Sequence, residues 1–131
     1  MSKLIDSFFQ GPMLKSYMDK RGNLAVLNFR DIPFEPKRLF WISNVPCGTS
    51  RGHHGHHKGK QFLICQEGHT QITVWPPRAE KATEISLMGG DNFFLPAEHW
   101  IEMKFMTEGT VLLVIADGEY DPRDLFTEPI K

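Results

Sequence analysis

The feature of this sequence that most restricts its fold is the interruption of short apolar runs by turn residues at roughly regular intervals. Runs rich in Val, Ile, Leu, Phe, Trp and Thr fall at residues 24–29, 39–45, 61–66, 70–75, 83–88, 92–95, 100–106 and 111–116. These residue types fit a pleated, half-buried surface. Between the runs stand Lys20-Arg21-Gly22-Asn23, Glu67-Gly68-His69, Trp75-Pro76-Pro77 and Met88-Gly89-Gly90-Asp91. Glu67-Gly68-His69 reads as a tight hairpin connection. Pro76 ends a strand because proline has no N–H for the ladder. Helical patterning is weak, and residues 121–126 offer only one short C-terminal helix, with Asp121 as N-cap and Pro122 at the first position. The expectation is an all-β chain: a sandwich, barrel or jelly roll of antiparallel strands.

A length of 131 residues means a single domain spanning 1–131. No repeat, low-complexity tract or Ser/Gly linker divides it. Fifteen Lys and Arg face sixteen Asp and Glu, for a net charge of -1. Such a chain has no global basic field to draw nucleic acid or an anionic membrane. No apolar run reaches the length of a membrane span, and the first ten residues lack the sections of a signal peptide. Cys47 and Cys65 form neither a disulfide framework nor a zinc spacing, and Cys65 fits a buried, inert thiol. The expected location is cytoplasmic. Trp41 and Trp75 fit the core better than a site.

Four of six histidines lie in Arg51-Gly52-His53-His54-Gly55-His56-His57. On a strand, side chains alternate faces, so His54 and His56 share one face and His53 takes the other. Gly55 between them removes bulk on the opposite face. A pair of imidazoles so placed suits either metal ligation or general acid–base work, since histidine titrates near neutral pH. A solvated His/Lys loop would carry no chemistry.

The spacing of Gly48, His54, His56, Gln61 and Gly68 matches the first cupin motif at every interval, with Gln61 where that motif usually has Glu. Gly90 and Pro96 match the opening of the second cupin motif. Its histidine position falls at Ile101, with His99 two residues away. Two of the four usual metal ligands remain, and no bound metal or other cofactor is expected. Further segments narrow the likeness: Asp19-Lys20-Arg21-Gly22-Asn23-Leu24, Pro33-Phe34, Lys37 to Ile42, Arg51 to His56, Gln61-Phe62-Leu63-Ile64 and Tyr120-Asp121. In that order and spacing the chain, over roughly residues 19–124, resembles the sugar nucleotide 3,4-ketoisomerases, small jelly-roll cupins acting on dTDP-4-keto-6-deoxyglucose.

The resemblance implies a single cupin jelly roll and a metal-independent isomerase. The keto group of the dTDP-linked sugar would move from C4 to C3 through an enediol. It also implies a homodimer whose N-terminal segment, residues 1–18, contacts the partner; the apolar Phe8, Phe9, Met13 and Leu14 accord with that. His54 and His56 are the expected catalytic acid and base. Arg51 can stabilise an enediolate or the diphosphate, and Arg38 or Lys37 can meet the phosphates. Gln61 can bond a sugar hydroxyl, Trp100 or Trp41 can stack on thymine or sugar, and Glu102 can orient a base. Phe40 and Trp41 stand where the family has tyrosines, His57 where it has lysine, and Ile101 where it has histidine. Two other readings remain open: a metal-dependent cupin using the histidine cluster, and a sugar-binding cupin without catalysis.

Overall fold

Alternating burial accounts for most of the strands. The computed structural model describes residues 14–131. Its strands are β1 (Lys15–Asp19), β2 (Gly22–Val26), β3 (Arg38–Ile42), β4 (Ser50–His56), β5 (Gln61–Glu67), β6 (His69–Trp75), β7 (Thr83–Met88), β8 (Asn92–Leu95), β9 (Trp100–Phe105), β10 (Val111–Ala116) and β11 (Leu125–Phe126). Thr70, Ile72 and Val74 of β6, and Ile101, Met103 and Phe105 of β9, are buried, with more exposed residues between them. That is the period-two pattern of a sheet with one face inside. The first half of β5 is buried on both faces. Leu63 and Cys65 join the main core, while Phe62 and Ile64 pack outside it with Ile32 and Ile115, under Leu27 and Phe34.

The strands form a four-stranded sheet in the order β3-β10-β5-β8 and a five-stranded sheet in the order β11-β4-β9-β6-β7. All pairs are antiparallel. This is the jelly-roll arrangement, with the main core enclosed between the sheets. The β1–β2 hairpin is a separate two-stranded sheet.

The structure departs from the sequence reading at several places. β1 has no strongly apolar pattern; all five of its residues are exposed. β2 ends at Val26, and a 3-10 turn at Phe29–Asp31 follows after a short extended stretch. Gly68 is not a hairpin turn. β5 and β6 lie in different sheets, so the chain turns a corner there, with Gly68 at φ +86°. A Cβ on Gly68 would collide with Thr110. The C-terminal helix is a single 3-10 turn at Pro122–Asp124. Asp121 caps it by accepting the Arg123 N–H, and β11 follows. Trp41 is not core: it is 62% exposed on the outer alternation of β3. The apolar segment ahead of Leu14 lies outside the described residues. Among the described residues no helix is long and apolar enough to cross a membrane.

Gly55 ties the site strand to the C-terminus. A Cβ there would run into the Phe126 ring and stand 2.7 Å from the His99 carbonyl oxygen. Gly55→Ala must therefore push β11 away. Overpacking of this kind costs about 1–3 kcal/mol, so thermal unfolding should show a melting temperature several degrees lower. An unchanged melting temperature would mean that β11 does not press on β4.

Candidate active site

β4 carries the histidine pair, and its pairing with β9 decides where each side chain points. Arg51 lies opposite Met103, Gly52 opposite Glu102, and His54 opposite Ile101. His53 is the extra residue of a bulge. Gly52 at φ +93° and His53 at φ +59° form it. A bulge shifts the alternation by one. Arg51, which regular alternation would put on the opposite face from His54, thus joins His54 and His56 on the inner face beside Ile101 and Met103. The glycine is required: a Cβ at Gly52 would stand 2.9 Å from both the Ile101 carbonyl oxygen and the Met103 side chain.

This face opens on a cavity of about 490 Å³ between the two sheets. Arg38, Arg51, His54, His56 and Gln61 all line it. Phe40, Ile101, Met103 and Val114 supply an apolar wall. The His54 and His56 rings meet edge to face with centroids 5.3 Å apart. Gln61, at the start of β5, is buried. The guanidinium of Arg38 sits 5.0 Å from the Phe40 ring centre, and its buried Nε has no hydrogen-bond partner among the described residues. Such a donor, left unmatched at a cavity wall, is set up for an acceptor on a ligand. A smaller annex of about 250 Å³ shares Arg38, His56 and Gln61 with the cavity and adds Lys58, Lys60, Asp117 and Asp124.

The structure does not bring Trp100 and Glu102 to the cavity. With Ile101 and Met103 turned inward, their β9 neighbours must face outward. Glu102 accepts a 3.0 Å hydrogen bond from Ser50 and lies 3.9 Å from His53. Trp100 donates its indole N–H to the Thr127 carbonyl at 3.0 Å and flanks the His53 ring. Trp41, exposed as it is, and His53 also line the cavity, and Tyr120, Leu125 and Thr127 join them from the C-terminal segment. Their positions could not be read from strand parity. Tyr120 alone carried a signal, as part of the Tyr120-Asp121 match.

The donors do not fit the metal of a complete cupin site. Ile101 faces His54 across the sheet, and Gln61 offers only a neutral amide. His99, near the missing position, is not in the cavity wall; its Nδ1 meets the Ala97 carbonyl at 2.8 Å. Among the described residues no three His, Cys, Asp or Glu side chains converge as a metal-ligating group.

Burial holds the His56 imidazole below its ordinary pKa, and the neighbouring His54 and Arg38 act in the same direction, while Asp124 and Asp117 oppose them. Burial likewise lowers His99, partly offset by its bond to Ala97. Cys65, fully buried in the core, has its thiol pushed up by burial.

An antiparallel jelly roll with paired imidazoles on an inner face is a cupin-type fold. The family model described as "FdtA: WxcM-like, C-terminal" matches residues 10–130, and the chain belongs to that family. A TDP-4-oxo-6-deoxy-alpha-D-glucose-3,4-oxoisomerase of Aneurinibacillus thermoaerophilus is 29% identical over 111 residues, covering 84% of this chain and 79% of that protein. The crystal structure of QdtA, a sugar 3,4-ketoisomerase from Thermoanaerobacterium thermosaccharolyticum in complex with TDP, superposes with a TM-score of 0.83. It is 33% identical, over 92% of this chain and 88% of that one. The TDP-quinovose 3,4-ketoisomerase WlaRB of Campylobacter jejuni superposes at a TM-score of 0.77, with 31% identity over 88% of each chain.

The lowered histidines predict a pH effect on stability. A group whose folded pKa is depressed stabilises the fold above its unfolded pKa, and that contribution is lost as pH falls toward the folded value. Stability should therefore decline as pH falls below about 6.5, the ordinary histidine value. Asp19 and Asp121, whose pKa values are lowered from 3.8, act only in more acid solution. Thermal melts from pH 7.5 to 5 should show the decline, and a His56→Asn/His99→Gln variant should flatten it. An equally steep slope in that variant would assign the effect to other groups.

Proposed function

We propose that this chain is a nucleotide-sugar 3,4-ketoisomerase that moves the keto group of a dTDP-4-keto-6-deoxyhexose from C4 to C3. The observation that carries the reading is the His54/His56 pair on the wall of a cavity whose other donors do not form a metal site. Family membership supplies the substrate class: the relatives named above are 3,4-ketoisomerases of TDP-linked sugars.

The C4 ketone acidifies the C3 proton. One imidazole removes it, the C4 oxygen gains a proton, and an enediol forms. A proton then returns to C4 while the C3 hydroxyl gives up its own. C3 is oxidised and C4 reduced within one molecule, so no external redox partner enters the balance. The lowered pKa of His56 keeps it neutral near pH 7, the form a base needs. A charge on the neighbouring His54 ring opposes a charge on His56. Arg51, on the same face, meets the negative charge that develops on the enediolate. Arg38 takes a diphosphate oxygen on its unmatched Nε. Gln61 binds a sugar hydroxyl without adding charge.

Proton NMR of dTDP-4-keto-6-deoxyglucose in D₂O tests this. The wild-type protein should introduce deuterium at C3 or C4 and yield a new keto sugar. His54→Asn and His56→Asn should each slow exchange about 10²–10⁴-fold, the usual worth of general acid–base catalysis. Arg38→Met should raise KM about tenfold or more, as expected for a lost charge-assisted bond of about 1.5–3 kcal/mol. Binding of the nucleotide sugar without any exchange by the wild type would instead support a non-catalytic sugar-binding cupin.

The protein works as a homodimer in this reading. Leu39 and Trp41 on the edge strand β3, and Tyr17, Met18 and Leu24 on the β1–β2 hairpin, are large apolar side chains left exposed. Exposed apolar edges of this kind favour pairing with another chain. Sedimentation velocity should give a dimer, and Trp41→Glu should shift it toward monomer. A monomeric wild type would reject the assembly.

A further inference from the structure

The loop between His56 and Gln61 is held by two carboxylates from the far end of the chain. Its four successive backbone N–H groups all bond to residues 117 and 124. The His57 N–H donates to the Asp124 carbonyl at 2.8 Å. The Lys58 and Gly59 N–H groups donate to the two carboxylate oxygens of Asp124 at 2.9 and 3.0 Å. The Lys60 N–H donates to the Asp117 carboxylate at 3.1 Å. Gly59 leaves room for this: a Cβ there would lie 3.0 Å from the carboxylate of Asp124 and 3.4 Å from the His56 Cβ. The next residue of the C-terminal segment, Leu125, pairs with His56 in the sheet. Asp124 thus grips the chain on the C-terminal side of His56, and its carboxylate lines the annex that His56 also lines.

We infer that Asp124 is a positioning residue for His56, fixing the loop that sets its place in the cavity and supplying the fixed negative charge beside it. The inference rests on the isomerase reading for its effect on rate. A carboxylate is suited to the task because it accepts two N–H bonds at once with no donor of its own. The charged and titratable groups that bear on His56 are His54 and Arg38, which disfavour its protonation, and Asp124 and Asp117, which favour it. Lys58, Lys60, Glu119 and Asp121 complete the annex.

Asp124→Asn tests the role. The amide keeps the size but turns an NH₂ toward one of the two N–H groups and removes the charge. Misplacing a reacting group by about 1 Å can cost about 10²-fold, so kcat should fall by about that factor with KM little changed. The acid limb of kcat/KM should move to lower pH, because the loss of a negative neighbour disfavours the charged imidazole. NMR titration of the His56 ring, read without substrate, should show a lower midpoint in D124N than in the wild type. Glu108→Gln, at an exposed carboxylate that lines neither the cavity nor the annex, should leave both readouts unchanged. A D124N protein whose His56 titrates as in the wild type overturns the inference whatever its activity. Failure of the wild type to exchange deuterium would sink the isomerase reading while leaving the titration to be read. If D124N does not fold, Asp124→Ser, whose hydroxyl still accepts one N–H, is read in the same way.

Discussion

The pairing of β4 with β9 around the extra residue His53 is the constraint on which the site depends. Without it, regular alternation would set Arg51 on one face and His54 and His56 on the other. With it, one strand delivers a guanidinium and two imidazoles to the same wall, opposite Met103 and Ile101. The two left-handed backbone positions that make this possible differ in kind. Gly52 adopts its φ at no steric cost, while His53 accepts a strained one. His53 sits between Glu102 and Trp100 and still lines the cavity. Strain of this sort persists only where surrounding structure over-determines it. Here the ladder on either side of the bulge does so.

The chain's ends and its centre are joined by the same logic. The strand pairs of the jelly roll link residues far apart in sequence, as β3 with β10 and β4 with β9. The C-terminal segment adds a third link. β11 extends the five-stranded sheet beyond β4, Phe126 fills the space that Gly55 leaves, and Asp124 holds the next loop. The outer face and the end of β4 are thus fastened by the C-terminal segment, whose Leu125 also joins the cavity wall.

Most strands were legible because their apolar residues recur with turn residues between them, and eight of the expected runs overlap observed strands. The His54/His56 pair was legible because Gly55 and the alternating register survive between them. What the sequence concealed has a common cause: it lay in pairing between distant segments. Gly68 has the composition of a hairpin turn, yet its strands enter different sheets, since their partners are β10, β8, β7 and β9. Trp100 and Glu102 stand next to the motif position, but the register with β4 turns Ile101 inward and so turns them out. Trp41 has the size of a core residue, while the alternation of β3 gives the inner face to Arg38, Phe40 and Ile42. Asp124 carried no signal at all, because two of its bonds are to backbone N–H groups, whose positions no side-chain pattern reveals.

The aliphatic side chain at Ile101 and the imidazole of His56, whose pKa is lowered, belong to one cavity wall. A cupin that holds a cation there needs a ring of donors, and a ring of donors keeps the cavity polar. With Ile101 and the neutral Gln61 at two of those positions, Met103, Val114 and Phe40 share the wall with Arg38, Arg51 and the histidines. Burial costs a charged His56 imidazole part of its solvation. Burial is the largest cause of the lowered His56 pKa, and His54 and Arg38 add to it. Asp124 and Asp117 limit that effect, so the imidazole is depressed by burial but not stripped of every stabilising charge. A base must be neutral to accept a proton and must then tolerate the charge it acquires. In the isomerase reading proposed above, burial favours the neutral His56 that a base requires, and Asp124 and Asp117 favour the charge it then acquires.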